Sequence, residues 1–467
     1  MKIRKWTALL LALAMVLALA GCGKTAKTFT ADKLSVWIWE SDQLEAWQAI
    51  ADEWTEKTRI PVEVTAKDKA SYWRDVEKGM LPDLFWMDSR HFNAYVHDGR
   101  LIRMDDHLSG SSLNLKGYYP QVVESYQVEG YTYGIPKDSS VMALWYNKAL
   151  FDSMKVAYPE ESWTWEDLAE AAFRLTNRHT GKYGMAINVD DTTNGWYNLV
   201  YSYGGYILDI DKQGDLVCGW NDANTVAAME LLAKIICDSM PSQSTMAALD
   251  GKELFSTGNC AMLIQSSDEA MGLIKAAGAE NWACTVLPYC DLDGSGDCSA
   301  GERATLMDGN GWVISSRSDD PVAAFDLLEE FCSEESQKKL AEGSIAQPAL
   351  TSLADDWVKS VEGWDFTPYS TMLNDAQLIT APVQQGGEDW LDHALSETLY
   401  IAWNDPARMG EMLQRQQSYT LSQLKLTASE EEAPADQAAA ADEPAQQQAE
   451  EGQQETPDTP DEGQTED

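Results

Sequence analysis

The chain has 467 residues, a formal net charge of −42 and a hydrophobic content of 44%. That length allows two packed lobes plus further segments, and the apolar share is ordinary for a globular protein. The charge argues against nucleic acid as a partner, because so acidic a surface repels phosphate. It argues equally against peripheral attachment to anionic lipid.

The N-terminus is basic, with Lys2, Arg4 and Lys5, and an apolar run from Ala8 to Ala20 follows. The run is about 13 residues, short of the roughly 20 that a spanning helix needs, and small residues close it. This order reads as an export signal. The junction Leu19-Ala20-Gly21-Cys22 resembles a bacterial lipobox, in which the cysteine is acylated and becomes the new N-terminus. The alternative is an ordinary secretion signal with an incidental cysteine. We expect a signal peptide over 1–21, a lipid-anchored linker over 22–32, and palmitate-type acylation at Cys22. No later apolar run approaches the ~18 residues of a membrane span.

Beyond the linker, short apolar strands alternate with amphipathic helices. Leu34 to Ile38 reads as a strand. A helix follows, capped by Ser41 or Asp42, with Leu44, Trp47, Ala51 and Trp54 on one face. Residues 61–64 and 83–87 are the next strands. Thr164 caps a helix carrying Leu168, Ala172 and Leu175, with Asp167 at the capping-box spacing. Another helix buries Val226, Met229, Ala233 and Ile236, and Pro321 opens one more after Asp320. This alternation predicts an α/β protein with parallel sheets flanked by helices. Ligands of such sheets bind beyond the carboxyl ends of the strands.

The stretch from Tyr131 to Leu150, YTYGIPKDSSVMALWYNKAL, resembles the family 1 extracellular solute-binding proteins of ABC importers, which bind carbohydrates. The resemblance continues in order through 82–88 (PDLFWMD), 163–168 (WTWEDL), 255–262 (FSTGNCAM) and 309–315 (GNGWVIS). Together these segments cover about residues 33–425. The resemblance implies a two-lobed periplasmic-binding-protein-like fold, each lobe a central sheet flanked by helices, joined by a hinge of several crossings. Carried onto this chain, lobe one is 33–128 and 305–350, and lobe two is 129–304 and 351–426. It also implies a monomer that closes on its solute and presents the closed form to the importer's membrane subunits.

Tryptophan is unusually abundant, 18 residues against 9 Phe. An indole offers a broad apolar face and one N–H donor, which suits sugar rings with their C–H faces and hydroxyl rims. Most tryptophans are nevertheless expected in the core. Position within the resemblance selects candidates. Trp39, Glu40 and Asp42 follow the first strand, and Asp88, Ser89 and Arg90 follow the strand ending at Met87. Lys137 and Asp138 lie near the hinge. Asn194, Trp196 and Tyr197 fall where the family often supplies an aromatic wall. Ser267 and Asp268 follow the strand 261–265, where many members carry a Trp that this chain lacks. Trp312 follows Gly309-Asn310-Gly311, and Trp390 lies near a further stacking position of the family.

Carboxylates such as Glu40, Asp42 and Asp88 also admit a glycosidase acid/base reading, which needs separations of ~5–9 Å. The resemblance implies binding without catalysis instead. Neither a phosphate-binding glycine loop nor an HExxH motif occurs.

The run Asp291 to Glu302 resembles an EF-hand loop: Asp291, Asp293, Ser295, Asp297, Ser299 and Glu302 supply oxygens, and Gly296 makes the sharp turn. The alternative is an acidic surface turn. No cofactor is required; a structural Ca²⁺ fits this loop. Seven cysteines follow Cys22, their spacing contains no CxxC pair, and Cys290 with Cys298 is the favoured bridge. From Thr427 to Asp467 the sequence has 14 Asp or Glu and no Lys or Arg, and it reads as a disordered acidic tail.

The expected function is therefore a lipid-anchored sugar or oligosaccharide receptor of an ABC importer. It faces outward from a cell membrane of Gram-positive type, with carbohydrate and importer subunits as partners and no nucleic acid. The alternatives are a receptor for another polar solute, a sugar-presenting sensor, and an extracellular glycoside-active enzyme.

Overall fold

The computed structural model describes residues 28–187, 195–210, 216–343, 347–379 and 389–431. The expected signal peptide over 1–21, Cys22, Asn194 and residues 432–467 of the expected tail lie outside these residues. The expected α/β fold of two sheet-centred halves is found, and each half keeps its own core.

The first sheet has five strands in the order Val62–Ala66, Leu34–Ile38, Leu84–Asp88, Asn310–Ile314, Gly134–Pro136. Both its faces are covered. Leu84 and Trp86 pack into one cluster with Val36, Ile38, Trp47 and Trp312, whereas Phe85 and Met87 pack into another with Tyr72, Phe92 and Tyr126. This split follows from the two-residue period of a strand. The helix Leu44–Thr58 lays Trp47, Ile50, Ala51 and Trp54 on that core. Its start differs from expectation: a 3₁₀ turn over Ser41–Gln43 precedes it, and neither Ser41 nor Asp42 is the cap.

The second sheet has the order Gln377–Ile379, Ala304–Asp308, Ser140–Asn147, Cys260–Ser266, Tyr183–Ala186, and Trp282–Thr285 also pairs with Ser140–Asn147. The capping box of Thr164 and Asp167 is formed, and Asp320 caps the helix that Pro321 opens.

Neither sheet is wholly parallel. Asn310–Ile314 runs antiparallel to Leu84–Asp88, and Ser140–Asn147 runs antiparallel to Cys260–Ser266 and Ala304–Asp308. Each of these two strands is the first after the chain crosses between halves. It enters at the end where its neighbours finish, so it must run the other way.

The strand pairing also moves the crossings. Gly134–Pro136 belongs to the first sheet and Ala304–Asp308 to the second, so the chain crosses near 137–139 and near 309, not at 128/129 and 304/305. A third passage runs through Pro348 and Leu350, whose backbones bridge to Asp138 and Tyr118. Gly309 has a clear reason to be glycine, since a Cβ there would meet the Asp138 carbonyl oxygen at 2.7 Å.

Both ends of the folded region depart from expectation. The last residues of the expected linker are docked: Thr30 and Ala31 donate to the Asp320 carboxylate, and the Phe29 ring lies 6.0 Å from that of Trp54. The helix Met409–Glu431 runs five residues into the segment read as tail; Ala428, Glu430 and Glu431 are good helix formers. The chain to Thr420 forms one unit, and the residues from Leu421 form a second. No described helix is long and apolar enough to cross a membrane.

Candidate functional site

A cleft of about 260 Å³ opens where the strands of both sheets end. It is lined by Trp39, Glu40, Lys69, Asp88, Asp138, Ser140, Asp268, Glu269, Gly309 and Asn310. Local structure explains the gathering. Trp39 and Glu40 follow the strand Leu34–Ile38, and Asp88 ends Leu84–Asp88 and caps the next helix. Asp268 and Glu269 open the helix after Cys260–Ser266. Asp138, Ser140, Gly309 and Asn310 lie on the crossings.

Trp39 forms the aromatic wall. Its ring packs edge-on against Tyr72 and Trp86, with centroids 5.0 and 5.2 Å away, and tilts against Trp73 at 5.9 Å. These contacts hold the indole while leaving it half-buried at the cleft. Lys69 Nζ stands 5.7 Å over the same ring. Behind it, the Trp73 ring stacks on His91 at 3.8 Å, and His91 Nδ1 lies 2.7 Å from Asp88 Oδ1.

At the hinge, the Lys137 side chain is fully buried. Its ammonium pairs with the Asp138 carboxylate and sits 4.0 Å over the Trp86 ring. The other Asp138 oxygen accepts the Asn310 amide at 2.7 Å. Asp138 therefore ties two crossings together by its side chain and a third by its backbone bridge to Pro348.

Burial and neighbouring charges act on Glu40. Burial pushes the Glu40 carboxyl up to about 7; Lys137 opposes this, and the charges of Asp138, Asp268 and Asp42 add to it. The Gln43 amide donates to the same carboxylate. On the opposite wall, the Ser140 hydroxyl donates to Asp268 at 2.8 Å.

Of the expected site residues, Trp39, Glu40, Asp88, Asp138 and Asp268 line the cleft together. Asp42 acts on Glu40 through its charge and is not part of the lining. Ser89 lies next to Asp88 outside the lining, and the Arg90 side chain lies outside the described residues, as does Asn194. Ser267 is buried behind the wall, 3.4 Å from the Ser140 hydroxyl.

The expected aromatic positions beyond Trp39 are corrected. Trp312 is 0% exposed and packs on Trp47 and Phe331 at 5.0 and 4.8 Å, inside the first core. It lies opposite Trp86 on the sheet face that packs into that core, whereas the next residue, Val313, packs with Phe85 on the other face. Trp196 and Tyr197 stack on each other at 4.0 Å, buried in the second core. Trp390 packs against the periphery of that core and is not among the lining residues.

The sequence reading did not select Lys69, Ser140, Glu269, Gly309 or Asn310. The strand-end rule, applied also to Val62–Ala66, points to the loop before Lys69. Ser140 was hidden by the assumption of parallel strands, because it sits where an antiparallel strand begins.

In the loop 291–302, the carboxylates of Asp291, Asp293 and Glu302 have ligand atoms within 4.8 Å of one another. Donor type and charge fit a hard, oxygen-seeking cation. Glu302 is 3% exposed and accepts the amides of Leu292, Asp293 and Ser299 at 2.7–3.1 Å. Asp297 is not part of the three-carboxylate group; the Ser299 hydroxyl donates to Asp293, and the Ser295 hydroxyl donates to the Asp297 carbonyl. The expected Cys290–Cys298 bridge is absent: the seven described cysteines are free, Cys290 being buried and Cys298 exposed.

Residues 49–364 match the family of bacterial extracellular solute-binding proteins. The chain belongs to that family. The galactooligosaccharide-binding protein of Bacillus subtilis is 24% identical over 76% of this chain and 82% of its own. Among solved structures, the ABC substrate-binding protein Lmo0181 of Listeria monocytogenes, in complex with cycloalternan, superposes with a TM-score of 0.70 at 20% identity. It covers 85% of this chain and 99% of its own. UgpB of Mycobacterium tuberculosis, in complex with glycerophosphocholine, has a TM-score of 0.66 at 16% identity over 86% and 100%. These likenesses establish the two-lobed solute-binding fold.

Proposed function

We propose that this solute-binding protein is a receptor for a sugar or oligosaccharide that closes its two halves on the solute and delivers it to an ABC importer, without catalysis of its own. The observation that carries the reading is the cleft itself. One half offers a braced indole, and both halves offer carboxylates and hydroxyl or amide groups. An indole suits a C–H face, and carboxylates accept hydroxyl protons. The galactooligosaccharide and cycloalternan relatives support the sugar assignment. Against a phosphorylated solute such as that of UgpB stand, among the described lining residues, five carboxylates and one lysine.

Closure follows if the solute bridges both walls, since only the closed form then makes every contact. Thermal-shift and calorimetric screening against mono- and oligosaccharides tests this. A solute at 100 times its Kd should add ~2.7 kcal/mol. Absence of a shift across the panel overturns the sugar reading, and cleavage of the bound sugar overturns the non-catalytic one.

In the same reading Cys22 anchors the protein by lipid on the outer face of the membrane. Cys22→Ala should then release it into the medium, and retention of the variant refutes the anchor. The loop 291–302 takes a structural Ca²⁺, supported by its three gathered carboxylates. Returning Ca²⁺ to chelator-treated protein should raise Tm, and an unchanged Tm at millimolar Ca²⁺ overturns this role.

A further inference from the structure

Among the described residues five carboxylates line the cleft, and they are not equally compensated. Asp138 is paired with the buried Lys137, Glu269 with Lys252, and Asp88 has His91 Nδ1 at 2.7 Å. Glu40 and Asp268 differ. Among the described residues neither has a Lys, Arg or His within 4.0 Å; their recorded partners are the neutral Gln43 amide and the Ser140 hydroxyl. They also belong to opposite walls: Glu40 follows the first strand of one sheet, and Asp268 opens a helix after a strand of the other. The Asp268 charge already bears on Glu40 across the cleft.

We propose that the solute carries a protonated amine, as a 2-amino sugar or its oligomers do, and that this amine is seated between Glu40 and Asp268. The inference rests on the sugar-receptor reading and narrows it to an amino-sugar class. Its physical basis is the cost of closure. Bringing two carboxylates together in a site that excludes water is repulsive. A cation between them turns that repulsion into two charge-assisted hydrogen bonds. The amine then does what a neutral hydroxyl cannot: it favours the closed form by charge, and Trp39 is left to hold the ring.

The pH behaviour follows. The groups facing Glu40 are Lys137, Asp138, Asp268 and Asp42, and Lys69 lines the same cleft. An arriving ammonium favours the ionised carboxylate, so binding near neutral pH expels a proton from Glu40. Affinity for the amino sugar rises with pH through about 7 until the amine itself loses its proton.

Calorimetry on the mature protein tests this with glucosamine, galactosamine and their dimers against the hydroxyl and N-acetyl counterparts, each in two buffers of different ionisation enthalpy. The expected result is at least tenfold tighter binding of the free amine, with proton release. In Glu40→Gln and Asp268→Asn the amine preference falls about tenfold, while their unfolding midpoints confirm folding. Equal binding of neutral and N-acetylated sugars overturns the inference and leaves the sugar receptor standing. Binding of no sugar removes the reading on which it rests. A stabilising shift by CaCl₂ alone that is lost in Asp268→Asn assigns the carboxylates to a divalent cation and overturns the amine.

Discussion

The two walls of the cleft are built from different materials. The first-half wall is aromatic and braced: Trp39 is held by Tyr72, Trp73 and Trp86, and Glu40 sits beside it with its carboxyl pushed up to about 7. Among the described residues, the second-half wall is lined by Ser140, Asp268 and Glu269, none of them aromatic. On the sugar-receptor reading proposed above, this difference divides the labour: the rigid indole of the first half captures a ring face at little ordering cost, and hydrogen bonds from the second half, formed only after closure, lock it.

Several variants would break or sharpen this contrast, in decreasing order of expected effect. Lys137→Met leaves the Asp138 carboxylate without its cation at the junction of the crossings. Losing one partner of a buried ion pair costs about 3–5 kcal/mol, which denaturant unfolding should read as global destabilisation. An unchanged midpoint would show that the hinge does not depend on that pair.

Trp39→Ala comes next. It removes the proposed capturing face, and the expected cost is about 1–3 kcal/mol of binding, roughly 5- to 150-fold in Kd. Folding should survive, since the ring is half-buried. An Asp268 variant should by contrast bind but close poorly, visible as a smaller change in scattering radius on adding solute. Equal closure in both variants would erase the distinction between walls.

The pH dependence of stability is a smaller effect. The Glu40 carboxyl is raised from 4.5 to about 7, so the folded protein holds a proton that the unfolded chain releases in that interval. Stability contributed by this group is therefore present below pH 4.5 and is lost as pH rises through about 7. Glu40→Gln should flatten the slope of stability against pH across that window; an unaltered slope would place the titration elsewhere. Smallest is Lys252→Ala. Its pairing with Glu269 is substantially exposed, so a loss of no more than about 1 kcal/mol is expected.

Much of this architecture was legible in residue order. The buried face Trp47, Ala51 and Trp54 follows helical spacing, and Thr164 with Asp167 announced a capping box that the structure forms. Trp39, Glu40, Asp88 and Asp268 were found because each follows a strand whose boundaries the apolar pattern marked. The errors share one cause. Trp196, Tyr197 and Trp312 were placed in the cleft by position alone, but a large aromatic near a strand end can turn either way. Neighbours distant in sequence decided: Phe331 and Trp47 for Trp312, and the second core for the stacked pair.

Local sequence also determined the class of chemistry. Periodicity set the helices and strands, the strand ends set where polar groups emerge, and the family segments set the two-lobed order. Tertiary structure alone decided strand direction at the crossings, which buried Lys137 against Asp138 and brought Ser140 to the cleft. It alone decided which carboxylates are compensated and which face one another. Charge pairing acts through space over a few ångströms, and Glu40 and Asp268 are brought to one cleft by folding, not by their separation along the chain.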